Sequence, residues 1–323
     1  MNDKIRWGII GPGKIAHKFC GDLVVVKEAQ ITAVASRSMD RAKAFADQYS
    51  IATHYDKYED LFKDPNVDIV YIATPHNHHA ELSLAALKAG KAVLSEKPSA
   101  MNRAEIEEVI ALSKEKQLFY MEGLWSRFNP LICEVYDKVK SGELGPLNYL
   151  KADFGFYALD RPDDSRVLNP SLGGGSLLDI GIYPVFLAYL LLGKPQGIKT
   201  IPKFYKTGAE VQLSMIFDYQ SSQAILYSGF VSDTECTAEL SGTNGRIHID
   251  TRWHEPTIYR QHTSEGSQTI EHEFKGNGFS YEIEEVHRCL KNNQYQSSLW
   301  SHQNTLDLIG LLDDIRADAA IEF

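Results

Sequence analysis

The sequence predicts an α/β protein in two parts. A doubly wound parallel sheet comes first, and an α+β domain with an open, mostly antiparallel sheet follows. Three observations predict this. The apolar run Ile5-Arg6-Trp7-Gly8-Ile9-Ile10 leads straight into Gly11-Pro12-Gly13-Lys14-Ile15-Ala16. Strand, Gly-rich turn and helix start, in that order, are the opening of a Rossmann unit. Helix-like and strand-like segments then alternate as far as Met121, which is the pattern of parallel βαβ units. Beyond Gly123 strand-like runs dominate, and Asn244-Gly245 supplies a strong hairpin turn.

Each element has its own signal. Helices are predicted over 41–48, Tyr58–Lys63, 80–88 and 104–116, with strands over 69–73, 92–94 and 118–121 between them. Asp64-Pro65-Asn66 and Ala89-Gly90 supply the breaks. In such a sheet, ligands bind at the carboxyl ends of the strands. In the second part, 148–157, 197–205, 211–219, 223–231 and 234–241 read as strands. The helical stretch 305–319 is expected to pack back on the first domain. The expected division is 1–122 for the dinucleotide-binding domain, 123–304 for substrate binding and oligomerisation, and 305–323 for that C-terminal helix.

Length and composition bound the function. A chain of 323 residues is long enough for two cores. Its 43% hydrophobic content is ordinary, and no apolar run is expected to cross a bilayer. The first strand begins within a few residues of Met1, so no signal peptide is expected. A formal charge of −10 argues against nucleic acid or an anionic membrane as a partner. Cys20, Cys133, Cys236 and Cys289 have no ligand spacing, and read as reduced thiols of a cytoplasmic protein.

The Gly turn carries the first chemistry. Gly11 permits the tight turn, Gly13 admits a pyrophosphate, and Ala16 allows close helix–strand packing. The strand 31–35 ends at Ser36-Arg37-Ser38, with Arg41 a helical turn on. An NAD site usually carries an acid there for the ribose 2′-hydroxyl. Two hydroxyls and guanidinium groups suit a 2′-phosphate instead, so NADP is expected rather than NAD.

Three more segments stand out. Ala73-Thr74-Pro75-His76-Asn77-His78-His79 follows a strand end. Its histidines invite a zinc reading, but adjacent side chains diverge and no Cys or carboxylate sits at ligand spacing. A loop lining the cofactor cleft is expected, with no metal. Ser95-Glu96-Lys97-Pro98 fixes a lysine at another strand end, and the Lys97–Pro98 bond is a candidate for the cis form. Its plain alternative is a turn with a solvated lysine. Gly173-Gly174-Gly175-Ser176-Leu177-Leu178-Asp179-Ile180-Gly181-Ile182-Tyr183-Pro184 places Asp179 and Tyr183 at i and i+4, on one helical face, with Pro184 making the helix irregular.

These segments together resemble the glucose–fructose oxidoreductase / inositol dehydrogenase / MocA family, in matching order along nearly the whole chain. Glu96-Lys97-Pro98 and the Gly-rich Asp179 segment are its specific motifs. Many sugar dehydrogenases of the family carry His where this chain has Tyr183. That departure, with Met121-Glu122-Gly123-Leu124-Trp125-Ser126-Arg127-Phe128, is similar to the branch of dimeric dihydrodiol dehydrogenases and NADP-dependent D-xylose dehydrogenases.

The resemblance implies a hydride-transferring dehydrogenase. Its cofactor contacts are Gly11, Gly13, Lys14, Ile15, Ser36, Arg37, Ser38, Arg41, Thr74, Pro75, His79, Glu96 and Lys97. Tyr183 is implied as the acid–base group, Lys97 as the cation favouring its phenolate, and Asp179 as the residue that orients the lysine or binds a substrate hydroxyl. Trp125, Arg127, Phe154, Tyr157, Asp179 and Phe279 are implied to line the substrate pocket. The substrate expected first is an aldose or cyclic polyol, with a trans-dihydrodiol or a dicarbonyl next. A non-catalytic NADP-sensing regulator is the alternative of another class. Pairing through the second sheet, with Ile216, Leu226 and Phe230 on its outer face, would give a homodimer or homotetramer.

Overall fold

Six strands, β1 (Ile5–Ile10), β2 (Ala29–Ala35), β3 (Thr53–Tyr55), β4 (Ile69–Ile72), β5 (Ala92–Glu96) and β6 (Tyr120–Gly123), form a sheet in the order β3-β2-β1-β4-β5-β6 in the computed structural model, which describes residues 4–273 and 275–322. Every pairing in it is parallel. The order reverses between β1 and β4, which puts the binding crevice at their carboxyl ends. Helices α1 (Lys14–Leu23), α2 (Met39–Tyr49), α3 (Tyr58–Lys63), α4 (His79–Lys88) and α5 (Arg103–Lys116) alternate with the strands. A parallel sheet covered on both faces needs continuously apolar strands, and β4, Ile69-Val70-Tyr71-Ile72, is buried throughout.

The second sheet follows α6 (Pro130–Lys140). Its strands are β7 (Leu147–Gly155), β8 (Gly197–Phe204), β9 (Glu210–Asp218), β10 (Gln223–Gly229), β11 (Ala238–Gly242), β12 (Gly245–Ile249), β13 (Ile258–Thr263) and β14 (Gly266–Glu271). They are ordered β14-β13-β12-β11-β7-β10-β9-β8, and only β7–β10 is parallel. Helix α7 (Ile182–Leu192) lies between β7 and β8 in the chain, and α8 (Ser280–Lys291) and α9 (His302–Ala319) close it. Asn244-Gly245 does join an antiparallel pair, β11 and β12. The three strands after it, and the three-residue β3, were not foreseen.

The described residues of Met1–Phe128 and Phe274–Leu306 form one compact unit, and those of Asn129–Glu273 and Asp307–Phe323 the other. The chain passes between the units at 128/129, 273/274 and 306/307. Asp22, at the end of α1, explains the return to the first unit. Its carboxylate accepts from the amides of Asn277, Phe279 and Ser280 at 2.6, 2.8 and 3.1 Å, satisfying donors at the start of α8. Trp7 then ties α8 to β1, its Nε1 donating to His287 Nε2 at 3.0 Å. In the second unit, Thr200 of β8 donates through its amide and hydroxyl to Asp318, each at 2.8 Å.

Two expectations are corrected here. Leu226 and Phe230 are fully buried, whereas Ile216 and Ile225, directly opposite each other on β9 and β10, are both 46% exposed. Side chains alternate along a strand, so Leu226 faces inward beside an outward Ile225. In addition, Pro170–Leu192 is long and apolar enough to cross a bilayer, contrary to the reading that no run is; 83% of its apolar window is buried. A segment apolar on all sides is here a core segment of the second unit.

Candidate active site

Gly11 bends the chain out of β1 with φ +80, and a Cβ there would lie 2.7 Å from the Ala73 carbonyl oxygen. Only glycine fits both demands. Gly13 is the extended residue before α1, and no side chain caps that helix end. A Cβ on Gly13 would meet nothing of the chain closer than 3.8 Å. Open space beside an uncapped helix start fits a pyrophosphate. Lys14 on this rim is exposed and Ile15 half-buried.

At the end of β2, Arg37 and Arg41 are exposed. Burial pushes the Tyr58 phenol up, and both guanidinium groups pull it back, Arg37 also by a hydrogen bond, so the two cations converge near one ring. Their neighbours serve the backbone first. Ser38 caps α2, its hydroxyl accepting from the Arg41 amide at 3.4 Å, and Ser36 Oγ accepts from the Ser38 amide at 3.3 Å. The group of four fits a 2′-phosphate, with the arginines as its charged members.

Thr74 and Pro75 lead into a short 3₁₀ turn, His76–His78, at the end of β4. His79 is completely buried. Its Nε2 lies 2.8 Å from the Thr74 carbonyl oxygen and its Nδ1 2.8 Å from that of Pro98. Carbonyls only accept, so both contacts are hydrogen bonds only when the ring carries both protons. His79 therefore struts the two loops that carry Thr74 and Lys97. Among the described residues, no three His, Cys, Asp or Glu side chains come together as metal ligands.

Glu96 closes β5 and Lys97 follows it, half-buried, with a cis bond to Pro98. Glu96 accepts from the Tyr71 hydroxyl at 2.5 Å. A second acid, Glu282 of α8, is fully buried, and neither carboxyl oxygen has a hydrogen-bond partner. Burial, then the charges of Glu96 and Asp22, push it well above the usual carboxylate range.

Trp125 and Phe279 stack face to face within the first unit, 4.8 Å between centroids and 12° between planes. Asp22 places this pair by holding the Phe279 amide. Arg127 is buried and donates through Nε to the Leu299 carbonyl at 3.0 Å, which gives it a structural duty.

The second unit carries the Gly-rich segment. Leu177–Gly181 is a π-helical turn, with the Ile182 amide reaching Leu177 O, and it runs directly into α7. Pro184 explains the wide turn: it lacks an amide proton and its ring crowds the carbonyl four residues back. Asp179 and Tyr183 each have partners. Asp179 takes both arms of Arg166, Nη1–Oδ1 at 2.9 Å and Nη2–Oδ2 at 3.2 Å. Tyr183, 6% exposed, packs against Phe154 at 5.7 Å and His254 at 5.4 Å, and His254 stacks on Phe154 at 4.2 Å. Tyr157 is 52% exposed, its amide donating to Asp233.

Within the first unit the structure thus gathers the Gly turn, the arginine pair and the Lys97 loop, with Trp125 on Phe279. Within the second it gathers Phe154 with Tyr183, and leaves Tyr157 apart on the surface. Sequence reasoning missed Arg166, His254 and Glu282. Arg166 lies in a polar loop 13 residues before Asp179, and His254 follows a fully buried Trp253 in another loop. Neither has a motif. Only the acid at 282 on an otherwise core-facing side of α8 offered a signal.

Residues 5–124 match the oxidoreductase family with an NAD-binding Rossmann fold, and residues 132–248 match the GFO/IDH/MocA C-terminal domain. The chain is 33% identical over 320 residues to trans-1,2-dihydrobenzene-1,2-diol dehydrogenase of Xenopus tropicalis, covering 96% of each chain. It is 32% identical over 330 residues to the Homo sapiens enzyme of that name, covering 99% of this chain and 98% of that one. KijD10, a 3-ketoreductase of Actinomadura kijaniata solved with NADP and TDP-benzene, superposes with a TM-score of 0.88 at 26% identity, covering 98% of each chain. The aldose–aldose oxidoreductase of Caulobacter crescentus shares the fold, with a TM-score of 0.89 at 24% identity over 98% of each chain. The Gly turn, the Lys97 loop and the Asp179–Tyr183 turn are therefore parts of a nicotinamide-dependent dehydrogenase, and the chain belongs to the Gfo/Idh/MocA oxidoreductase family.

Proposed function

We propose that this enzyme uses NADP to oxidise a CH–OH group of an aldose or cyclic polyol. The observation that carries the reading is Tyr183, a nearly buried phenol at the start of α7 against Phe154 and His254. A phenol in an apolar setting is a poor acid–base group near neutrality, since its ordinary pKa is about 10. A lysine ammonium favours the phenolate, and Lys97 is assigned that part. The nicotinamide, when bound, accepts the hydride. Tyr183 takes the hydroxyl proton, and Phe154 offers an aromatic face to the substrate ring. The Arg166–Asp179 pair supplies a carboxylate acceptor and guanidinium donors for neighbouring hydroxyls, which favours a polyhydroxylated substrate. Arg37 and Arg41 support NADP over NAD, and the 3-ketoreductase solved with NADP supports the same choice.

The near full-length relatives favour a second reading, oxidation of a trans-dihydrodiol, for which the aromatic wall is equally suited. Initial rates with NADP⁺ on D-xylose, D-glucose, myo-inositol and a trans-dihydrodiol separate the two. Fastest turnover of a sugar or cyclitol supports the first, and of the dihydrodiol the second. We also infer a homo-oligomer formed through the open sheet face. Ile201, Phe204, Ile216 and Ile225 are 66%, 48%, 46% and 46% exposed, an apolar set that a second copy would cover. Sedimentation of wild type against Ile216→Lys tests it: a monomer in both contradicts the inference.

A further inference from the structure

Glu210, the first residue of β9, is 1% exposed and points at the start of the turn that carries Asp179. Its Oε1 accepts from Ser176 Oγ at 2.7 Å and its Oε2 from the Leu177 amide at 2.9 Å. Ser228 of β10 stands behind, with its hydroxyl 2.8 Å from Ser176 Oγ. Both serines are completely buried. The chain enters this clamp through Gly175, with φ +122, and a Cβ there would come within 3.3 Å of the Glu210 carbonyl oxygen. The groups on the carboxyl come from the bend and from its own strand, through the Gln212 amide, and none of them is charged.

A helix start leaves amides without intrahelical acceptors, and a Ser, Thr, Asn or Asp immediately before the helix ordinarily serves them. Here an acid from another element does so, two residues before Asp179 and six before Tyr183. Burying a carboxyl costs far more than burying a hydroxyl. The two hydrogen bonds it accepts tie the start of the turn to β9. We propose that Glu210, braced through Ser176 by Ser228, is a positioning residue that fixes the Asp179–Tyr183 turn for catalysis. This rests on the roles given above to Asp179 and Tyr183.

The test compares Glu210→Ala, Glu210→Gln and Ser176→Ala with Tyr183→Phe and Asp179→Asn. Each is measured for kcat, substrate KM and NADPH affinity by fluorescence. A displacement of about 1 Å at a reacting group costs about 10²-fold, so Glu210→Ala should lower kcat about 10–100-fold. NADPH affinity should stay within about twofold, because the cofactor motifs lie in the other unit. Glu210→Gln keeps the shape and an acceptor, and should restore most of kcat; Ser176→Ala should fall between them. Wild-type kcat in folded Glu210→Ala overturns the proposal, as does a Gln variant as impaired as the Ala variant. Should Glu210→Ala fail to fold, unchanged kcat in Ser176→Ala overturns it instead. Full activity in Tyr183→Phe and Asp179→Asn overturns the underlying site assignment, whatever Glu210 does.

Discussion

Arg166 holds Asp179 through both guanidinium arms, at 2.9 and 3.2 Å, with the carboxylate side chain 12% exposed. The Gly-rich motif therefore delivers a paired carboxylate, and any substrate hydroxyl that reaches it meets donor and acceptor together. A bidentate fork is specific to arginine. Arg166→Ala and Asp179→Asn should each lower kcat/KM about 10–100-fold, the range for losing a hydrogen bond to a charged group. Because they act as one unit, the double variant should be little worse than either single one. Multiplying losses in the kinetic cycle would show that the two act separately.

Arg37 should decide between the two nicotinamide cofactors. Arg37→Ala should weaken NADP⁺ by about 10–100-fold, the loss of one charge-assisted contact to phosphate, and leave NAD⁺ nearly unchanged. Apparent KM values for both cofactors check it. An equal loss for both would remove Arg37 from 2′-phosphate binding.

Glu282 predicts a stability gain that depends on pH. Its pKa is raised in the fold by burial, so its proton-bound form is favoured there. The sign follows: the stability this gives is fully present below about pH 4.5 and is lost as pH rises through the folded value. Glu282→Met removes a buried carboxyl with no hydrogen-bond partner. Its Tm should exceed that of wild type, and by more at pH 8 than at pH 5. A gain that does not grow with pH would contradict this.

His287 works in the opposite sense. Burial, and then Lys291, push it down to about 4, and Nε2 accepts from Trp7, which needs an unprotonated nitrogen there. A depressed histidine contributes stability above its unfolded value of about 6.5, and loses it as pH falls through the folded one. The advantage of wild type over His287→Leu should shrink by up to roughly 3 kcal/mol between pH 7 and 4, at about 1.4 kcal/mol per pKa unit. Urea titrations at both values measure it.

What the sequence disclosed, and what it hid, follows from the range of the interactions. The Gly11 turn, the β4 run and the Asn244-Gly245 hairpin are written in neighbouring residues, and each was legible. The Ser38 hydroxyl, which the sequence offers to a phosphate, also caps α2, the ordinary duty of a serine one residue before a helix. The face of Leu226 is not legible, because an apolar strand such as Ala224-Ile225-Leu226 hides its alternation. Arg166, His254 and Glu210 reach the Asp179–Tyr183 turn from loops and a strand with no local pattern. The return of α8 depended on Asp22, whose acceptors serve amides some 255–258 residues away. No local window contains that pairing.

In the proposed reaction Tyr183 moves the proton, and residues of the Gly turn and of the end of β2 hold NADP. The most direct measurement is kcat and NADPH affinity of Tyr183→Phe beside wild type, on the best of the four test substrates. The expected result is a kcat lower by about 10²–10⁴, the usual range for a lost general acid–base, with NADPH affinity unchanged. Turnover at the wild-type rate would remove Tyr183 from the chemistry and the proposed mechanism with it.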